Sequence, residues 1–122
     1  MIKIKANFIQ VTEKWLWLWR FNGITIIPWV FMFGQRIHKS AYKFAKFTNH
    51  EKIHVRQVED EMNKYKSKII GWIVWYTKYL AEWIKYGYKN NIYEIEAYDK
   101  DQDFTYLDRR EPFAYKKYRD VR

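Results

Sequence analysis

His50-Glu51-Lys52-Ile53-His54 is the stretch of this chain whose residue types and spacing could do chemistry. Histidines at i and i+4 stand one above the other on one face of a helix, so both rings can reach a single zinc ion. A glutamate directly after the first histidine can reach a water on that ion and serve as its base. The HExxH pattern therefore predicts His50 and His54 as metal ligands and Glu51 as the catalytic residue of a zinc-dependent hydrolase. Two rings alone leave zinc under-coordinated, because a catalytic site takes three protein ligands and keeps one position for water.

Cysteine is absent, so the third ligand must be His, Asp or Glu. His38 lies in a basic run with no partner at helical spacing and reads as a surface histidine. Glu61 is two turns from His54, roughly 10 Å along a helix axis, too far to share the ion. The acidic segment Glu94-Ile95-Glu96-Ala97 can supply the ligand from a later helix. A ligand helix must approach the HExxH helix closely, which favours a small residue one turn beyond the ligand on the same face. Glu94 has Ala97 at i+3, whereas Glu96 has the larger Asp99, so Glu94 is the expected ligand and Glu96 the reserve.

Elements must hold these residues in place. Thr48 and Asn49 are good N-caps, which predicts a helix from there to about Ser67. On it His50, His54, Gln57, Val58, Glu61 and Tyr65 share a face, with Lys52, Arg56 and Asn63 outward. A second helix over 69–88 has a broad apolar face of Ile69, Trp72, Ile73, Tyr76, Tyr79, Leu80, Trp83 and Ile84, read as core or as cover for a protein partner. Its apolar run is too short to span a bilayer, which takes roughly twenty residues. A third helix follows over 92–107. Upstream, residues 1–11 alternate weakly, Trp15, Trp17 and Trp19 recur at period two, and Asn22-Gly23 marks a turn before the β-branched run from Ile24. Pro28 makes that second strand an edge or breaks it. Gly34 to Thr48 reads as a basic connector. The expected fold is α+β in one domain of 122 residues, with strands over 1–35 as an N-terminal β-hairpin or small antiparallel sheet packed on about three helices. The zinc-site region spans 48–107 with HExxH on the first long helix, and 108–122 forms a basic aromatic tail able to dock a partner.

The formal charge of +9 and the 21% aromatic content bear on partners. A basic surface attracts nucleic acid, acidic protein or anionic membrane surface without choosing among them. Trp and Tyr in this number favour an interface with a protein partner or a larger assembly. The N-terminal residues do not read as a secretory signal, which predicts a chain that is cytoplasmic at synthesis.

HExxH followed on a later helix by ExxA resembles the glutamate-liganded zincin metallopeptidases. The fuller pattern of Asn49-His50-Glu51, Ile53-His54, Arg56-Gln57, an aromatic helix, then Tyr93-Glu94, Glu96-Ala97-Tyr98 is similar to a group of short metallopeptidase-type proteins of bacteria and their phages, over about residues 20 to 107. The resemblance implies a minimal zincin-like fold, His50, His54 and Glu94 as zinc ligands, Glu51 as general base, and a peptide-like or amide substrate. Many such peptidases carry Asp directly after the Ala to support a zinc-bound histidine. Tyr98 stands there in this chain, so Asp99 or Asp101 would take that role. Tyr93 and Tyr98 are both available to stabilise an oxyanion. The alternative expectation is a structural or assembly protein, such as a phage particle component incorporated in the virion, whose HExxH is structural or inactive.

Overall fold

A single helix without Gly or Pro, α1 (Ala41–Tyr65), is the element on which the next two helices pack. The computed structural model of the chain describes residues 2–11, 23–26, 29–33 and 41–122, with side chains over 2–8 and 41–122. The helix begins seven residues before the expected caps, so 41–47 is helix rather than connector. Thr48 and Asn49 have other work: the Thr48 hydroxyl donates back to the Ala45 carbonyl at 3.0 Å, and Asn49 reaches out to a different helix. The chain turns at Lys66, which takes a left-handed conformation (φ 53°). The Ser67 hydroxyl then accepts the Ile70 N–H at 3.2 Å and caps α2 (Lys68–Tyr86).

Gly71 sets the packing of α2 on α1. A Cβ at that position would lie 2.3 Å from the Met62 Cα, so only glycine lets the two backbones approach this closely. The inward side of α2 is consequently Gly71, Trp75 and Tyr79, at i, i+4 and i+8. Ile69, Ile73, Leu80 and Ile84 of the expected apolar face are exposed. Gly87 (φ 83°) closes α2, its N–H donating to the Trp83 carbonyl at 2.8 Å.

The next helix, α3 (Ile92–Lys100), is capped by the Asn91 side chain, which accepts the Tyr93 N–H at 2.9 Å, and by Glu82, which accepts the Ile92 N–H at 3.1 Å. It stops at Lys100 rather than running to 107. Asn49 Nδ2 takes the carbonyls of Asp101 at 2.8 Å, Asp103 at 3.1 Å and Lys100 at 3.3 Å, and this satisfies the end of the helix. The short α4 (Tyr106–Arg109) and a 3₁₀ helix (Ala114–Arg119) follow. The expected docking tail instead belongs to the body: Tyr115 and Tyr118 are buried with Val55, Val58, Met62, Trp75, Ile92 and Tyr93 in the main core.

The α+β expectation is corrected. The body of the molecule is helical, and its core residues come from α1, α2, α3 and the C-terminal turns. No N-terminal hairpin about Asn22-Gly23 and no antiparallel sheet packed on helices is found among the described residues. The strand segments β1 (Asn7–Val11), β2 (Gly23–Ile26) and β3 (Trp29–Phe33) pair with each other as a small mixed sheet in the order β1-β3-β2, β1 running parallel and β2 antiparallel to β3. Gly23 begins a strand instead of turning one. The Trp15–Trp19 run lies outside the described residues. Residues 2–8 do alternate, with Ile2, Ile4 and Ala6 packed on the core and Lys3 and Lys5 exposed. Over 2–4 their partner is a helix: Asn63 Oδ1 accepts from Ile2 N at 2.6 Å, Asn63 Nδ2 donates to Ile2 O at 3.0 Å, and Glu59 Oε2 accepts from Ile4 N at 3.1 Å. Asn63, expected to face outward, holds this segment, and Arg56 donates to the Leu107 carbonyl at 2.6 Å. Among the described residues no helix is long and apolar enough to cross a membrane.

Candidate metal centre

The two histidines of α1 and Glu94 of α3 meet in the interior. One donor atom from each of His50, His54 and Glu94 lies within 4.8 Å of the others, and all three residues are buried. The group could hold a metal ion. His50 Nε2 is 3.1 Å and His54 Nε2 3.2 Å from the same oxygen, Glu94 Oε1. Ala97 is fully buried in a cluster with Ile53 of α1 and Tyr106, so the small residue lies on the side of α3 that faces α1.

Each ring is aimed by a bond to its other nitrogen. His50 Nδ1 faces Asp101 Oδ2 at 3.3 Å, and His54 Nδ1 faces Gln57 Oε1 at 2.9 Å. A carboxylate only accepts, so His50 carries a proton on Nδ1, and Nε2 is the nitrogen turned inward, where it donates to Glu94 as long as no ion takes its lone pair. The Gln57 amide donates to the Tyr93 carbonyl at 3.0 Å and to Glu96 Oε1 at 2.9 Å, which leaves its oxygen to accept from His54. Tyr79 donates a short hydrogen bond to Glu94 Oε2, so that Oε1 alone faces the rings.

The charges are strongly coupled. Burial disfavours a charged His54 ring, yet the Glu94 carboxylate outweighs it, with help from Glu51 and Gln57, and pushes the pKa up to about 9. Burial also opposes charge on His50, but Asp101 and Glu94 hold its pKa above the ordinary value. Burial would raise Glu94, and the two imidazoles reverse this and keep it well below the usual carboxylate range. Burial first, and the Glu94 charge next, push the Tyr79 and Tyr88 hydroxyls far up, so both are donors.

Glu51 is buried in α1 and its charge is felt by His50, His54, Tyr79, Tyr88 and Tyr98, which puts its carboxylate on the side of the centre. Tyr98 lies against His50, with ring centroids 4.4 Å apart, and is half exposed. Its hydroxyl is 2.9 Å from that of Tyr88. This pair forms the solvent side of the centre.

Of the residues singled out in the sequence, His50, His54 and Glu94 come together. Glu96 does not join them: it is fully buried and bound to Gln57, Tyr106 and Arg110. Asp101, and not Asp99, supports His50, since Asp99 accepts from the Tyr118 hydroxyl at 2.7 Å. Tyr93 is buried in the core against Tyr115, with ring centroids 4.5 Å apart. Glu61 is occupied elsewhere, by Lys78 at 3.0 Å and Tyr115 at 2.8 Å. His38 lies outside the described residues. Sequence reasoning missed Tyr79 and Tyr88 and gave Gln57 no role. The signal for Tyr79 was Gly71, because the small-residue logic applied to Ala97 also marks the side of α2 that approaches α1. No protein-family model, curated protein or solved structure matches the chain, so function must be argued from this centre.

Proposed function

We propose that the chain is a zinc-dependent hydrolase of peptide or amide bonds, with His50, His54 and Glu94 as the zinc ligands and Glu51 as general base. The observation that carries this reading is the convergence of two Nε2 atoms on one carboxylate oxygen. Zinc takes nitrogen and oxygen donors at about 2.0–2.1 Å, which puts tetrahedral neighbours about 3.3 Å apart. The separations of 3.1 and 3.2 Å suit that edge length. Three protein donors with a vertex to spare are the pattern of a catalytic rather than a closed structural site.

A zinc ion bound there would acidify a water at the fourth position and polarise the substrate carbonyl. Glu51 takes the proton of the attacking water and delivers it to the leaving amine. Asp101 and Gln57 keep the rings in the ligating tautomer, and Tyr79 keeps Glu94 on one oxygen. Tyr88 and Tyr98 sit where substrate must enter, and their hydroxyls can donate to an oxygen that gains charge.

Metal analysis of the purified chain with a peptide-hydrolysis assay tests this. Wild type should hold about one zinc, and Glu51→Gln should keep it while turnover falls by about 10²–10⁴. Glu94→Ala should lose the metal. A chain that takes up no zinc, and is equally stable with a chelator, would overturn the reading.

A second reading is an assembly protein with a structural ion at the same centre. It is favoured by one observation, the exposed aliphatic residues of α2, with Ile69 73% and Ile84 79% exposed. A zinc-loaded chain without turnover that self-associates or captures a partner through α2 would support it.

A further inference from the structure

Each imidazole of the centre leads from Nδ1 to a carboxylate, but by different routes. His50 meets Asp101 directly. His54 meets an amide, and an amide can face either way unless its surroundings decide. Gln57 is fully buried, and so is Glu96, whose Oε1 accepts from Gln57 Nε2 at 2.9 Å. Glu96 is held as an acceptor by Arg110, which donates from Nε to Oε2 at 2.6 Å and from Nη2 to Oε1 at 3.2 Å. The Tyr106 hydroxyl adds a bond to Oε2 at 2.7 Å. Arg110 is itself anchored to Asp60 at 2.9 Å.

We infer that Glu96 and Arg110 are positioning residues for His54, acting through Gln57 on the tautomer of a ring that neither of them touches. The inference rests on the metal-site reading proposed above. With Glu96 held as an acceptor by Arg110 and Tyr106 and the Tyr93 carbonyl beside it, the Gln57 NH₂ must point to them, and the Gln57 oxygen must accept from His54 Nδ1–H. The Nε2 lone pair is then free for a metal. An amide turned the other way would present N–H to Nδ1, put the ring proton on Nε2, and block ligation. The carboxylate that was the reserve ligand thus serves the centre from one residue further out, and the basic tail reaches the site through Arg110.

The test compares wild type, Glu96→Gln and the exchange variant Gln57→Glu/Glu96→Gln in the full chain. In Glu96→Gln one of the two acceptors that fix the Gln57 amide becomes an amide that can pair in either sense, and only the Tyr93 carbonyl still holds the NH₂, so the acceptor for His54 is held less firmly. Zinc affinity, measured by chelator competition, should fall about 10–100-fold. The exchange variant gives His54 a carboxylate directly and turns the new amide oxygen towards Arg110 while giving up the bond to the Tyr93 carbonyl, so affinity should rise at least about threefold above that of Glu96→Gln. A purely structural loss would not be rescued this way. Exchange of the His54 Nδ1 proton in the metal-free chain gives a second readout: slow in wild type, at least tenfold faster in Glu96→Gln, slow again in the exchange variant. Unchanged affinity and proton exchange in Glu96→Gln, or an exchange variant that folds without recovering either, would overturn the inference. If Glu96→Gln does not fold, the exchange variant decides alone. A wild type that binds no zinc would sink the functional reading, while the proton-exchange comparison would still judge the relay.

Discussion

The two long helices invert the usual relation between polarity and burial. Over 49–62, α1 buries Asn49, His50, Glu51, His54, Gln57, Glu59 and Glu61, whereas α2 buries only Gly71 and Trp75 and leaves Ile69, Ile73, Leu80 and Ile84 largely in solvent. Burying a polar group without a partner costs several kcal/mol, so the α1 arrangement persists only because partners come to it from α2, α3 and the tail. Tyr79, Lys78, Glu94, Glu96, Asp101, Arg110 and Tyr115 all point their polar atoms into it. The contrast teaches that α1 is built around a site, and that α2 is oriented by where a backbone can approach it rather than by where its own aliphatic residues lie.

The sharpest way to break the polar side is to remove its buried cation. Arg110→Ala leaves Glu96 and Asp60 without their shared guanidinium, and loss of one partner from a buried ion pair costs about 3–5 kcal/mol. Denaturant unfolding would show the drop, and a loss under 1 kcal/mol would mean that water or another group replaces the cation. Next in size is the contact that sets α2. Gly71→Ala puts a methyl group into the Met62 backbone, where nothing flexible can yield, and should cost about 2–3 kcal/mol despite the better helix propensity of alanine. Thermal melting that matched wild type would show that the helices are not in close contact there.

The charge state of the centre gives the polar side a pH signature. The metal-free His54 pKa is raised from 6.5 to about 9, so its contribution to stability is fully present below 6.5 and is lost as pH rises through 9. Glu94 is depressed below its ordinary 4.5, so its contribution is present above 4.5 and is lost as pH falls. Metal-free protein should therefore be most stable between these limits and should weaken towards pH 9. Zinc reverses the alkaline limb, because ligation needs neutral imidazoles and is opposed by protons. Melting curves from pH 5 to 9, with and without zinc, should diverge as pH rises. Parallel curves would separate the histidines from any shared ion.

The same contrast explains what could be read from the sequence. The site was legible because it is local: HExxH fixes two rings by helical spacing alone, and Ala97 marks the side of α3 that comes close. What the N-terminal extended segments pair with was not, because alternation reports which residues face inward and not what they face. Ile2 and Ile4 alternate against Asn63 and Glu59 of a helix, with no ladder partner. Thr48 and Asn49 looked like caps because their side chains bond backbone groups, but the groups they bond are Ala45 and the end of α3. The tail read as a docking arm because nothing local says that Tyr115 and Tyr118 complete a core whose other buried members are 22 or more residues away in the chain.

The smallest expected effect sharpens the comparison from the apolar side. If the aliphatic residues of α2 contribute nothing to the fold, replacing Ile69 and Ile84 together with serine should change stability by no more than about 0.5 kcal/mol per site, the range for surface positions. At the buried positions of α1 the same kind of change should cost several times more; Val58→Ser removes a fully buried side chain and adds a hydroxyl with no partner. Zinc content and turnover should be untouched in the α2 variant, because neither residue is among those that aim the rings. A loss of more than 2 kcal/mol there would mean that the stripe is covered in solution, and a concentration-dependent melt in wild type that vanishes in the variant would identify the cover as a second copy of the chain.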